Sequence, residues 1–163
     1  MLNKTLICIL LMISFTLLLS QDAFCDNKTL QGIKSVRVEI VLSSEEYGVS
    51  TYQLQNDVEL KLRLAGIKVD SNSSQTLSVV VVIMKIEPSA SSKVIGRYGT
   101  VQITLKQEVR LSRNLGISTI ASTWQSYVMY LHGGPDDFGK RCRDAVRDFT
   151  DAFINDYLSA NPK

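Results

Sequence analysis

The sequence predicts an α+β two-layer sandwich, with a mainly antiparallel sheet of four to five strands and two helices on one face, in the order β-α-(β)-β-β-β-α. Three observations predict it. Apolar and polar side chains alternate with period two over 35–42 and 101–111, which is the pattern of half-buried strands. Apolar side chains recur at helical spacing over 54–65 and again over 138–157, giving two amphipathic stripes. The last strand segments are joined by a connection too short for a helical crossover, so they form an antiparallel hairpin. Neither helix can bury its stripe alone, and packing both on one face of the sheet resolves that.

The first strand carries Val36, Val38, Ile40 and Leu42 against Ser35, Arg37, Glu39 and Val41. After a loop over 43–49, Ser50 and Gln53 fit a capping box. Leu54, Val58, Leu62 and Ala65 form the first helical face, Gly66 ends the helix in the left-handed conformation, and Ile67 folds back on the last turn. Lys68 and Val69 begin a short optional strand, and 70–74 is a loop. Leu77–Ile86 is apolar on both faces. It is therefore a central strand covered on both sides, or covered on one side by a partner. Pro88 stops it, and Ser89–Gly96 is a loop of small residues. Val101, Ile103, Leu105, Val109 and Leu111 define the next strand, Asn114-Leu115-Gly116 a turn, and Ser118–Leu131 a further strand. In that last strand Trp124, Val128 and Tyr130 fall on one side, and Tyr127, Met129 and Leu131 on the other. His132-Gly133-Gly134-Pro135 breaks the sheet, and Asp136 or Asp137 caps the final helix. Its stripe is Phe138, Cys142, Ala145, Val146, Phe149, Ala152, Phe153 and Tyr157.

The chain opens with Lys4, an apolar run over 6–19 and a return to polarity at Ser20-Gln21-Asp22, the three-part pattern of a secretory signal peptide. A helix crossing a bilayer needs roughly twenty apolar residues, and this run is shorter. Small side chains at Ala23 and Cys25 favour cleavage before Asp26, with Ser20 as the alternative cleavage position. Asp22 and Phe24 depart from the pattern of a lipid-modified Cys25, so a soluble periplasmic or secreted domain is favoured over a lipid-anchored one. The expected organisation is a signal peptide over 1–25, a flexible polar lead-in over 26–32, one domain over 33–158 and a polar tail over 159–163. Of the 163 residues, removal of the first 25 leaves 138, with net charge +2 unchanged. That is one ordinary domain, and its charge argues against a nucleic-acid partner. Cys142 is then the sole cysteine, and its place on an apolar helix face predicts an inert buried thiol.

No catalytic constellation emerges. His132 is the only histidine, and His132-Gly133-Gly134 has no nucleophile elbow to serve: Gly48-Val49-Ser50 and Gly116-Ile117-Ser118 both lack the closing glycine. One histidine and one cysteine on different elements make no zinc site. Asp70, Asn72 and Ser74 imitate the start of a calcium loop, but Gln75 and Val81 stand where glycine and glutamate belong. Gly96-Arg97-Tyr98-Gly99 is no phosphate cradle. Lys106, Arg97, Arg110 and Arg113 read as a solvated polar face. Asn27-Lys28-Thr29 and Asn72-Ser73-Ser74 match the glycosylation acceptor pattern. No catalytic residue, metal or cofactor is expected.

A helix ending in Leu64-Ala65-Gly66-Ile67, three following strands and a long last helix resemble the order of elements in the TolB amino-terminal domain and in lipopolysaccharide-assembly lipoprotein folds. Ala121-Ser122-Thr123-Trp124 and Asn155-Asp156-Tyr157-Leu158 resemble small exported bacterial proteins. The resemblance spans residues 33–158 and transfers no functional residue. The export signal, the absence of a catalytic constellation and the available sheet surface lead to the expectation of a non-enzymatic domain that binds another cell-envelope component, protein or lipid, with an edge strand open to strand addition. The other expectation is a small apolar or lipid ligand held between sheet and helices, lined by Trp124, Tyr127, Met129 and Phe138.

Overall fold

The computed structural model describes residues 27–45, 48–87, 96–134 and 137–162. The signal segment, Cys25, Pro88, Pro135 and Asp136 lie outside the described residues. The elements are β1 (Ser35–Leu42), α1 (Thr51–Leu64), β2 (Lys68–Val69), β3 (Thr76–Ile86), β4 (Gly96–Leu111), β5 (Asn114–Gln125), β6 (Met129–Gly133) and α2 (Phe138–Ala160), preceded by a single 3-10 turn at Asn27–Leu30. The six-stranded sheet runs β2-β1-β3-β4-β5, and β6 also pairs with β4. β1 is parallel to both β2 and β3, whereas β3, β4, β5 and β6 are joined by antiparallel pairings. The result is the expected α+β sandwich, with one strand more than anticipated.

One side of β1, β3 and β4 builds most of the sheet's share of the core. Val36 and Val38 of β1, Leu77, Val79, Val81 and Ile83 of β3, and Val101, Ile103 and Leu105 of β4 are buried. The β1–β3 register pairs Val38 with Leu77, and the β3–β4 register then pairs Leu77 with Leu105, so these side chains share one face. Leu54, Val58 and Leu62 of α1 and Phe138, Cys142, Val146, Phe149 and Phe153 of α2 close over that face. Lys61 of α1 forms an ion pair with Asp151 of α2 across the solvent side of the helix contact. Ala152 is exposed, while Thr150 and Ile154 are buried in its place. Thr150 satisfies its hydroxyl by donating to the Val146 carbonyl one turn back, 2.7 Å away.

The α1 C-terminus follows the sequence signal. Gly66 has φ +83, Ile67 N–H donates to Leu62 O at 2.9 Å and Gly66 N–H to Arg63 O at 3.0 Å, the paired bonds of a Schellman motif. Both expected N-caps behave differently. Ser50 precedes α1 in an extended conformation without a side-chain cap bond, and Glu45 Oε1 accepts the Thr51 N–H instead, at 3.2 Å. Asp137 precedes α2, also without a cap bond, because its carboxylate is engaged by Arg141 Nε at 3.0 Å.

Four expectations about the strands need correction. β4 starts at Gly96, five residues before Val101, and pairs with β3 from Gly96 opposite Ile86 to Lys106 opposite Thr76. The hairpin turn is Ser112-Arg113, since Leu111 pairs with Asn114, and the residues between Asn114 and Ser118 bulge out. The segment Ser118–Leu131 is not one strand. It breaks at Ser126, whose N–H donates to Ile103 O at 2.8 Å while its Oγ accepts Ile103 N–H at 3.0 Å. The irregularity moves Met129, opposite Val101, to the same face as Trp124, opposite Leu105. β6 also carries the sheet through His132 and Gly133. The described parts of the two ends meet. Leu30 is buried, and Asn161 ties the two ends together, accepting Gly32 N–H at 2.8 Å and donating to Leu30 O at 3.0 Å.

Candidate functional site

The helices cover one face of the sheet only. On β3 the alternate side chains point the other way, and strand order puts their neighbours beside them. Val41 of β1 lies next to Val80, Val82 lies in a row with Thr100 and Tyr130, and Met84 in a row with Tyr98 and His132. Val41, Val82, Met84, Ile86 and Tyr130 are 47%, 36%, 51%, 43% and 66% exposed. Tyr98 and Tyr130 stack with ring centroids 6.1 Å apart. Of the two expectations for β3, covering on both sides within the chain is corrected: among the described residues, helices cover one side, which leaves the alternative of a face left to a partner. A contiguous apolar patch on an otherwise polar surface marks an interaction surface more often than an isolated exposed leucine does. Toward the opposite end this face turns polar. Lys106 Nζ lies 3.4 Å from Ser78 Oγ and 3.8 Å from Glu39 Oε2, so Lys106 belongs to a local polar cluster.

The four side chains expected to line a ligand site lie on the helix-facing layer or at its rim. Trp124 is buried, meets Phe153 edge-on at 5.1 Å and donates from Nε1 to Asp156 Oδ2 at 2.8 Å. Phe138 is fully buried, and Met129 packs at the margin of the core. Tyr127 is 70% exposed, yet its ring meets Phe149 edge-on at 4.8 Å. They make ring and core contacts with one another's neighbours and carry no polar group left to orient a ligand, apart from the Tyr127 hydroxyl.

Other singled-out residues have structural partners. His132 is exposed on β6, with its carbonyl 3.3 Å from Arg141 Nη1. Asp70 accepts Asn72 N–H at 2.9 Å and faces Lys68 Nζ at 3.3 Å, and these bonds hold its carboxyl below the ordinary carboxylate range. It closes a turn. Among the described residues, no group of three or more His, Cys, Asp or Glu side chains is placed to hold a metal ion, and no helix is long and apolar enough to cross a membrane.

Cys142 is buried, and burial pushes its thiol up to about 11. Near neutral pH it carries the proton and is a poor nucleophile. In a chain beginning at Asp26, labelling by an aromatic disulfide reagent at pH 8 is expected to be at least about a hundredfold slower than in denaturant. The same shift makes folding less favourable as pH rises from about 9 to 11, because the unfolded thiol ionises first. Equal labelling rates in both states would refute the assignment.

A second feature lies at the opposite edge of the sheet and was not anticipated. β2 covers β1 only at Ser35 and Val36. Beyond it, a groove of about 460 Å³ is lined by Arg37, Val38, Gln55, Glu59, Arg63 and Val69, with Ser71 at its end. Glu59 is held by two neighbours on α1, accepting Gln55 Nε2 at 2.9 Å and Arg63 Nη2 at 2.6 Å. Only the brevity of the Lys68-Val69 strand hints at this opening in the sequence.

No protein-family model matches the sequence, and no curated protein matches it. Several solved structures are similar. Rare lipoprotein B from Shewanella oneidensis is 12% identical, with 76% of this chain and 92% of that chain covered and a TM-score of 0.31. The PelC dodecamer from Paraburkholderia phytofirmans is 16% identical, with 80% and 88% covered and a TM-score of 0.42. A minor lipoprotein from Acinetobacter baumannii is 10% identical, with 79% and 93% covered and a TM-score of 0.41. Two of the three are lipoproteins by name. At these identities and TM-scores no functional residue, partner or activity is transferred.

Proposed function

We propose that this chain is an exported, non-enzymatic domain of the periplasm or extracellular space that binds another component of the cell envelope. The observation that carries the reading is the uncovered sheet face with Val41, Val82, Met84, Ile86, Tyr98 and Tyr130. Burying apolar surface contributes about 25 cal/mol per Å², so a partner seated on these side chains gains stabilisation that water does not provide. The charged start, apolar run and polar boundary of residues 1–25 support export.

Met84→Glu tests the site. Met84 is about half exposed, so the substitution is expected to leave the folded domain within about 0.5 kcal/mol of wild type. In pull-downs from envelope extract, wild type is expected to retain a reproducible partner and the variant to lose it. Undiminished capture by a folded Met84→Glu domain would overturn the reading.

A small apolar or lipid ligand between sheet and helices is the second reading. One observation favours it: Tyr127 is largely exposed while its ring closes over Phe149, so a swing of this ring would open the layer toward Trp124, Met129 and Phe138. Native mass spectrometry of protein purified from its own host is expected to show an adduct, and a bare mass would sink the idea.

A further inference from the structure

The geometry points to the groove between the β1 edge and α1 as a docking site for an extended peptide that bears carboxylate groups and adds to the sheet as a strand. This site is separate from the open sheet face.

The backbone names the occupant. Arg37 N–H donates to Gln75 O at 2.8 Å, and Ser43 N–H to Val81 O at 3.0 Å, so the odd-numbered residues of β1 bond toward β3. Val36 directs its carbonyl the other way, accepting Asp70 N–H at 3.0 Å. The same alternation turns the N–H and C=O groups of Val38 and Ile40 away from β3. On that side the described residues provide a strand only as far as Val36, because β2 ends at Val69. Donors and acceptors spaced along a strand edge are complementary to another extended backbone. Most sheets cover or charge such an edge, and here it forms the floor of an open groove instead.

The walls select the side chains. Arg37 stands on the β1 side and Arg63 on the α1 side, with Glu59 as the one carboxylate among the lining residues. Two arginines stand against one glutamate, so the lining carries net positive charge, and Glu59 is already paired with Arg63 and Gln55. Arg37 holds Thr76 Oγ1 by one Nη2 bond of 2.9 Å, which leaves further N–H groups of its guanidinium for a ligand. Arginine suits carboxylates because its planar fork can donate two parallel bonds. A peptide lying along Val38 and Ile40 would place one alternate set of side chains on the α1 side, toward Arg63, and the other on the open side, toward Arg37.

The test uses the chain from Asp26 and a fluorescein-labelled octapeptide of alternating valine and glutamate, followed by fluorescence anisotropy. Two controls accompany it: the same peptide with lysine for glutamate, and the same peptide with alternate backbone nitrogens methylated. Saturable binding is expected for the first peptide, with at least about tenfold weaker binding for each control. Arg63→Glu, at an exposed position, is expected to weaken binding by a similar factor, and Met84→Glu on the far face to leave it unchanged. Ile40→Pro removes an outward N–H without touching a β3 bond, and is expected to abolish binding in a folded domain. Absence of saturable binding, equal binding of the methylated peptide, indifference to Arg63→Glu, or loss on Met84→Glu would each overturn the proposal. None of these results depends on whether the open face binds an envelope partner.

Discussion

Truncating Phe153 to alanine is expected to lower the stability of the domain by about 3–5 kcal/mol. The ring is fully buried on α2, meets Trp124 edge-on at 5.1 Å and lies 6.4 Å from the Tyr157 ring. Its removal takes away the transfer free energy of a whole aromatic side chain and leaves a void between helix and sheet that its neighbours cannot fill. The T-shaped contact with Trp124 adds about 0.5–1.5 kcal/mol beyond area alone. A single domain has only about 5–15 kcal/mol to lose, so this substitution removes a large share. Urea unfolding followed by fluorescence measures it directly, because Trp124 is the only tryptophan. A lowered midpoint with an unchanged slope, together with a red-shifted native emission, is the expected result. A loss below about 1 kcal/mol would show that Phe153 does not anchor α2 to the sheet.

Gly99→Ala is expected to cost about 2–3 kcal/mol for a different reason. Gly99 sits on β4 opposite Ile83 of β3 and Leu131 of β6. A Cβ there would lie 2.5 Å from the Val82 carbonyl oxygen and 3.0 Å from Phe138 Cζ. The first neighbour is backbone in the central strand and cannot swing aside. The second is the fully buried ring that starts α2. Phe138→Leu in the same chain separates the two contacts. It relieves the ring but not the carbonyl, so the double variant is expected to remain at least as unstable as Gly99→Ala alone. A neutral Gly99→Ala in thermal unfolding would mean that β4 shifts freely against β3.

The strands that were easiest to read are those with strict alternation. Val36, Val38 and Arg37, Glu39 assign β1 its two faces, and Leu54, Val58, Leu62 with Gly66 assign α1 its stripe and its end. Reading failed where hydrogen bonds outside the local segment decide the outcome. Ser126 looks like an ordinary strand residue, yet its backbone and hydroxyl are both claimed by Ile103, and this breaks the strand. The capping signal at Asp137 failed because Arg141 engages its carboxylate, and at Ser50 the side chain makes no cap bond while Glu45 accepts the neighbouring Thr51 N–H. The open-face patch was half legible: the double apolar character of Leu77–Ile86 reads as a strand covered on both sides or on one side by a partner, but Val41, Tyr98 and Tyr130 join it only through strand pairing. The β1 groove was almost invisible, since Arg37 and Arg63 are separated by a helix in sequence and meet at one edge in space.

Sequence by itself therefore determined the α+β class, the two helical stripes, the faces of β1 and β4 and the buried Cys142, because each follows from local periodicity and side-chain burial preference. Tertiary structure alone decided which strand stands beside which, where the strand after β5 breaks, and that β2 leaves most of β1 uncovered. Those outcomes depend on pairings between segments far apart in the chain, whose backbone groups carry no residue identity to read in advance.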